Sequence, residues 1–345
     1  MKSKKKNLLF SVSLAIFAFS LFSLLVSRLN SDFAEFLTGT LILFLKNFLL
    51  FFSNCAPFSI FELLCCISPA ILLFLIFILF KSKRENVRHR FFSIVGVFLL
   101  IFSLLINTVF IGYGVDVGFK FEECNEEELK FAFEYLRSAV NSFQGAEYPQ
   151  KDVMSQKLYT AYSELNLPGV YLTKASPKIK KIKHETLASR LGYLGGYSFL
   201  TSEISINFSA PHYTAVFTAA HEMAHLFGIS GEAEASFYAY LASLRTADEA
   251  IIYSANLSAF EYVAAAVFKA DPEFYVKVYE TLSETVKKDL SEYHSFYYSE
   301  STKITESAEK LNGAVLYFAD SNGDSDYSAF VKIFVPFLLG KNNCN

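Results

Sequence analysis

Two imidazoles four residues apart and a carboxylate between them make His221-Glu222-Met223-Ala224-His225 the segment of this chain best suited to chemistry. On a helix, positions i and i+4 lie one above the other, so His221 and His225 converge on a single ion from one face. Glu222 projects from the adjoining side of the same helix. There it takes a proton from a metal-activated water without becoming a ligand, the division of labour of a zinc peptide hydrolase. The zinc (Zn2+) supplies Lewis acidity and draws the pKa of its water toward neutrality. Such a centre needs a third protein ligand and one open position, and Glu232 and Glu234 follow closely enough to supply the ligand. Two plainer readings compete. His-Glu-x-x-His arises by chance on amphipathic helices, and both later acids suit the first turn of a helix for its dipole alone.

The elements around the motif favour the chemical reading. Residues 201–209 alternate Ile204, Ile206 and Phe208 with polar neighbours, the period of a half-buried strand. A loop with Pro211 follows, then the motif helix, which Gly228 suits as a terminator. Gly231 suits a tight reversal into a second helix. Strand, motif helix, turn and carboxylate-bearing helix resemble the layout of gluzincin peptidases. In those enzymes a strand edge commonly holds extended substrate, which makes Glu203, Ile204, Ser205, Ile206 and Asn207 the expected substrate-binding edge. The run Glu232-Ala233-Glu234-Ala235-Ser236 resembles the gluzincin Glu-x-x-Ala-Asp or Glu-x-x-Ala-Asn element, whose first Glu binds metal. That favours Glu232, with Glu234 as the alternative. A metzincin would carry His at position 231, where this chain has Gly.

Composition sets the surroundings of the motif. The chain has 345 residues, is 52% hydrophobic and holds 38 Phe. The excess lies in the first third. Apolar runs of spanning length cover residues 8–26, 59–80 and 91–111, and a shorter one at about 38–54 carries Lys46, as an interfacial or re-entrant segment does. Residues 81–90, KSKRENVRHR, hold five Lys or Arg against one Glu, and the N-terminus is MKSKKK. The positive-inside rule puts both in the cytoplasm, which requires an even number of crossings between them. The run at 91–111 then exits, so residues 113–345 are expected outside. The first run is long for a signal peptide, and SRLNSD offers no small-x-small cleavage site, so an uncleaved anchor is expected. Residues 1–112 carry a net +7 and the remainder −10, an acidic balance that offers nucleic acid no basic surface.

The expected architecture is α+β and mostly helical: a three-span transmembrane region over residues 1–112 and an extracytoplasmic zincin-like domain over residues 113–345. Asn125 and Glu128 read as a capping box opening a helix with Leu129, Ala132, Phe133, Leu136, Val140 and Phe143 at helical spacing. Further helices are expected over 153–165, from Asp271-Pro272, over 302–318 and over 327–339. PKIKKIKHE at 177–185 reads as a strand or loop with a solvated basic face. Ser59 and Glu62 read as a helix cap at a membrane boundary. An oxidising compartment permits, without requiring, a Cys124–Cys344 bridge. His212, His294, Tyr197 and Tyr327 are candidate donors to a tetrahedral oxyanion, though each alone is a common surface or core residue.

Four blocks in order, APFSIFELL at 56–64, GYLGGYSFLTSEISINF at 192–208, HEMAHLFGISGEAEASF at 221–237 and NGDSDYSAF at 322–330, resemble the bacterial domain-of-unknown-function family 3810. The resemblance implies a multi-pass membrane protein with a zinc-metallopeptidase domain, His221 and His225 as ligands and Glu222 as base. It also puts Ser236 where the family usually has Asn, which argues against a supporting role there. The expected function is a membrane-anchored zinc peptidase acting on a peptide or protein of the cell envelope, with the lipid bilayer as its other partner. The alternative is a catalytically inactive zincin-like protein that binds an envelope component or assists membrane assembly. An intramembrane protease would need its motif in a spanning helix, and VFTAAHEMAHLFG is too short and polar-flanked for that.

Overall fold

The computed structural model describes residues 7–81, 84–300 and 326–341. It is mostly helical, and its contacts divide it into two compact units. One runs to Val115 and includes Ser198–Ser202; the other comprises Asp116–Tyr197 and the chain from Glu203 onward.

The first unit begins with α1 (Leu8–Leu29), α2 (Ser31–Leu37), a π turn at Thr38–Ile42 and α3 (Leu43–Cys55). It continues with α4 (Ile60–Phe80) and α5 (Arg84–Leu105), which runs on through a π turn and a 3-10 turn to Gly114. Four helical runs here, Leu8–Leu29, Ser31–Cys55, Ile60–Phe80 and Asn86–Gly114, are long and apolar enough to cross a membrane. The segment expected as interfacial or re-entrant is thus part of an unbroken helical run of 25 residues. Ser59 caps α4 by accepting from the Glu62 amide at 3.0 Å, the expected arrangement.

Helices α1 and α5 lie side by side and point the same way. Asn7, at the start of α1, donates from Nδ2 to the His89 carbonyl (2.7 Å) and to Ser93 Oγ (2.9 Å) near the start of α5. Farther along, Asn107 Nδ2 donates to Ser20 Oγ at 2.8 Å, and Arg28 lies over the Tyr113 ring at the far ends. Buried Ser13, Ser20 and Ser27 recur every seven residues on α1. Opposite them, Gly96 leaves only 3.2 Å between a hypothetical Cβ and both Phe10 Cα and Ser13 Oγ. Small residues on the facing stripe let the two backbones approach, the usual route to close packing of apolar helices.

The second unit is built on α11 (Glu249–Ala270), a helix apolar enough to span but mostly buried among its neighbours. It packs against α6 (Glu126–Phe143), α9 (His212–Leu226), α10 (Glu232–Arg245), α12 (Pro272–Glu280) and α14 (Asp326–Leu338). Aromatic rings fill the core: Phe133 stacks on Phe260 (4.6 Å) and Tyr275, and Phe237 meets Phe119 edge-on at 4.8 Å. The Asn125–Glu128 capping box opens α6, α7 covers Lys151–Leu165, and Asp271 caps α12 with Pro272 in its first turn, all as the sequence predicts. The helix expected over 302–318 and Cys344 lie outside the described residues. Cys124 points its thiol at the carbonyls of Glu122 and Val331.

Among the described residues the strands make one three-stranded sheet in the order β1-β3-β2: β1 (Lys180–Lys181), β2 (Gly195–Ser198) and β3 (Glu203–Ile206). The basic stretch therefore supplies β1, followed by α8 (Glu185–Arg190), and β1 pairs in parallel with β3, Lys180 opposite Ser205. This corrects the expected substrate edge. β3 lies between two strands, and all four of its residues are buried, Ile204 and Ile206 completely. Asn207 is committed as well. Its amide donates to Ser189 Oγ (2.9 Å) and the Tyr193 carbonyl (3.2 Å), and its carbonyl accepts from the amide and hydroxyl of Ser209. Glu203, Ile204, Ser205, Ile206 and Asn207 build the sheet and the turn into α9. The period-two pattern identified a strand; it carries no information about which neighbours flank it.

Candidate metal centre

Helix α9 starts at His212, behind Pro211, and carries the motif through its last turns. Its middle is tied to α7 by Tyr162, whose hydroxyl donates to the Ala220 carbonyl at 2.9 Å and whose ring meets Phe227 edge-on. The helix ends in a Schellman cap. The Ile229 amide returns to the Ala224 carbonyl (3.1 Å), the Gly228 amide to that of His225 (3.2 Å), and Gly228 takes the required positive φ of 114°. That cap turns the Ile229 carbonyl back toward the helix, where it meets His225 Nδ1 at 2.7 Å. The chain then enters α10 with Gly231 as its N-cap.

These elements bring His221, His225 and Glu232 together, with one ligand atom from each within 4.8 Å of the others. His221 Nε2 lies 3.0 Å from Glu232 Oε2 and 3.1 Å from His225 Nε2, and His225 Nε2 lies 3.5 Å from the same carboxylate oxygen. With metal–ligand bonds of about 2.0–2.1 Å, such separations correspond to ligand–metal–ligand angles of roughly 95–115°, close to tetrahedral. The residues present therefore fit a zinc ion. The His221, His225 and Glu232 side chains keep 16%, 15% and 31% of their surface exposed, so the group is open on one side. A closed four-ligand structural centre has no such face.

Both imidazoles are oriented from behind. Nδ1 of His225 donates to the Ile229 carbonyl and Nδ1 of His221 faces Ser236 Oγ at 3.0 Å, an arrangement that turns both Nε2 atoms toward Glu232. Ser236 therefore has a supporting contact, although its departure from Asn weakens the expectation of one. A hydroxyl suffices because Ser236 lies four residues after Glu232, on the same face of α10. Glu234 is not in the ligand group. It occupies the third position of α10, and its carboxylate folds back over the N-cap Gly231, where a Cβ would collide with it. This is the capping position of a first-turn acid.

Glu222 is 9% exposed and lies outside the ligand group, close enough for its charge to act on His225. Its Oε2 accepts from the Tyr197 backbone amide in β2 at 2.7 Å, so the sheet holds the carboxylate. Tyr197 thus contributes its backbone, where the sequence had suggested its hydroxyl. Glu232 lies within ion-pair distance of both imidazoles. Burial pulls the His225 pKa down, but the charge and hydrogen bond of Glu232 overcome it and, with Glu222 and the Ile229 carbonyl, raise it to about 9. Burial likewise opposes ionisation of Glu232, yet both imidazoles hold its carboxyl well below the usual range. His212 sits in the first turn of α9 with its ring against Tyr148, and His294 lies on α13 (Glu284–Glu300); neither joins the ligand group. Tyr327 lies outside the residues whose side chains are described.

No curated protein and no solved structure matches the chain. A family model does: the one described as "Protein of unknown function (DUF3810)" matches residues 38–335, most of the sequence, and the chain belongs to that family.

Proposed function

We propose that the chain is a membrane-anchored zinc peptidase whose zincin-like unit works outside the cytoplasm on peptides or proteins of the cell envelope. The observation that carries this reading is the convergence of His221, His225 and Glu232 beside a carboxylate, Glu222, that is held close by yet outside the ligand set. Zinc, when bound, supplies the Lewis acidity that makes water a nucleophile and a carbonyl an electrophile near neutral pH. His221 and His225 hold it through Nε2, each oriented by its Nδ1 contact, and Glu232 contributes one negative charge. The Tyr197 amide fixes one oxygen of Glu222. The other oxygen takes the proton from the attacking water and passes it to the leaving amine.

The parallel packing of α1 and α5 supports the topology read from charge. Helices that start together and run the same way start on the same side, so residues 1–6 and 81–90 share a compartment, and their lysines and arginines make it the cytoplasm. An even number of crossings must separate them. Helix α4 has no buried residue and takes the return crossing; Ser31–Cys55, although long and apolar enough to cross, is then the run that the even count leaves without a crossing. The run ending at Gly114 then delivers the remaining chain outside.

The test is Glu222→Gln in the full chain, read by zinc content and by hydrolysis of a diverse peptide library. Retained zinc with hydrolysis lost is the expected result. Undiminished hydrolysis overturns the mechanism, and a wild-type chain that holds zinc without cleaving anything favours the inactive envelope-binding alternative.

A further inference from the structure

A cavity of about 360 Å3 lies between residues 208–213, the turn after β3 together with the start of α9, and one face of α13. That volume falls at the small end of sites that take organic ligands. Its walls are aromatic, formed by Tyr148, Phe208, Tyr213 and Phe296, and two carboxylates, Asp289 and Glu292, open into it. Asp289, Glu292 and Phe296 recur at i, i+3 and i+7, so α13 turns a single stripe toward the space.

The charge in this cavity is poorly compensated. Among the described residues Asp289 makes no ion pair; Oδ2 accepts only the Tyr253 hydroxyl, at 2.5 Å. Burial pushes its pKa up and the charge of Glu292 adds to this; the Tyr253 hydrogen bond, Lys288 and His212, which also lines the cavity, offset the rise only in part. Glu292 meets Lys288 at 3.5 Å, where both side chains are more than half exposed and such a pair contributes little. A half-buried carboxylate without a cation is costly unless a ligand brings one. The surrounding rings attract positive charge through their π faces. Among the described residues, Asp289 and Glu292 belong to no group of three ligand residues that could hold a metal ion, which favours a ligand that brings its own N–H donors.

We propose that this cavity is a binding site for a primary ammonium or guanidinium group, such as a lysine or arginine side chain carries. Its N–H donors pair with Asp289 and Glu292 while its alkyl stem lies on the rings. The site shares no residue with the metal centre, and its existence does not depend on the peptidase reading.

The test is calorimetric titration of the full chain in detergent with acetyl-arginine methylamide, its uncharged citrulline counterpart and tetramethylammonium. The arginine compound is expected to bind at least tenfold more tightly than either of the others, because citrulline lacks the charge and tetramethylammonium lacks donors. In the double variant Asp289→Asn, Glu292→Gln the arginine affinity should fall at least tenfold while zinc content and unfolding temperature hold. Asn at 289 still accepts the Tyr253 hydroxyl, which protects the fold. Equal binding of arginine and citrulline compounds, tighter binding of tetramethylammonium, or undiminished binding by the double variant overturns the proposal. Because the readout is heat, hydrolysis can fail without touching the result.

Discussion

Replacing Ser236 by Ala removes one hydroxyl, and the consequence should appear in metal affinity more than in folding. Ser236 is 5% exposed, and its Oγ is the contact behind His221 Nδ1. Alanine leaves that ring nitrogen facing a methyl group. Stranding a buried donor costs about 1–3 kcal/mol, or a factor of roughly 5 to 150 in an equilibrium constant. Loss of a hydrogen bond behind a metal-binding histidine typically weakens metal binding about 10- to 100-fold, the same range by a separate route. We therefore expect Ser236→Ala to raise the zinc dissociation constant about 10- to 100-fold, measured by competition with a chromogenic chelator. Ser236→Thr keeps the hydroxyl and should retain most of the affinity. Unchanged affinity in Ser236→Ala would refute the idea that this serine orients the ligand, and an equal loss in Ser236→Thr would mean that crowding is the cause.

Three further outcomes follow from the same geometry. In the metal-free chain, His225 has its folded pKa raised to about 9, above the ordinary histidine value, by its ion pair with Glu232. Its contribution to stability is complete below about pH 6.5 and is lost as pH rises through 9. The depressed carboxyl of Glu232 contributes above its ordinary value of about 4.5, and that contribution is lost as pH falls through the lower folded value. Thermal unfolding of the metal-free chain should thus show a decline from pH 6.5 to 9 that Glu232→Gln abolishes; a flat profile counts against the pair. Asn207→Ala empties a fully used hydrogen-bonding position and should destabilise the chain by about 1–3 kcal/mol in denaturant while leaving zinc affinity unchanged. A weaker zinc site with normal stability would contradict its structural role. Gly114→Ala puts a methyl group against the Ser27 carbonyl and should lower the detergent unfolding temperature, whereas Gly145→Ala, where the new methyl meets nothing, tests only the positive φ of 80°.

Much of this was legible because it depends on local spacing. Residues four apart on one helix must share a face, so His221 with His225 needed only a helix. The capping box at Asn125, the Asp271 cap and the terminating Gly228 are equally local. What escaped depends on partners distant in sequence. The alternation at 201–209 marks a strand, but the basic stretch that reads equally as strand or loop supplies β1, and only its pairing with β3 puts β3 in the middle of the sheet. The amide that holds Glu222 belongs to Tyr197, 25 residues earlier, and a backbone donor leaves no mark in side-chain chemistry. Ser236 was readable in principle, since it follows Glu232 by one helical turn. At that spacing the short serine side chain is enough to reach His221. The choice between Glu232 and Glu234 had to wait for the fold, because Gly231 makes room for the carboxylate of Glu234 over the helix end.

Metal analysis of the purified full chain, made side by side on wild type, Glu232→Ala and Glu234→Ala, tests the central claim most directly. The account predicts one tightly held zinc per wild-type chain, the same in Glu234→Ala, and loss of that zinc through a chelating column in Glu232→Ala. A wild-type chain without zinc, or a Glu232→Ala chain that keeps it while Glu234→Ala does not, would contradict the centre described by His221, His225 and Glu232.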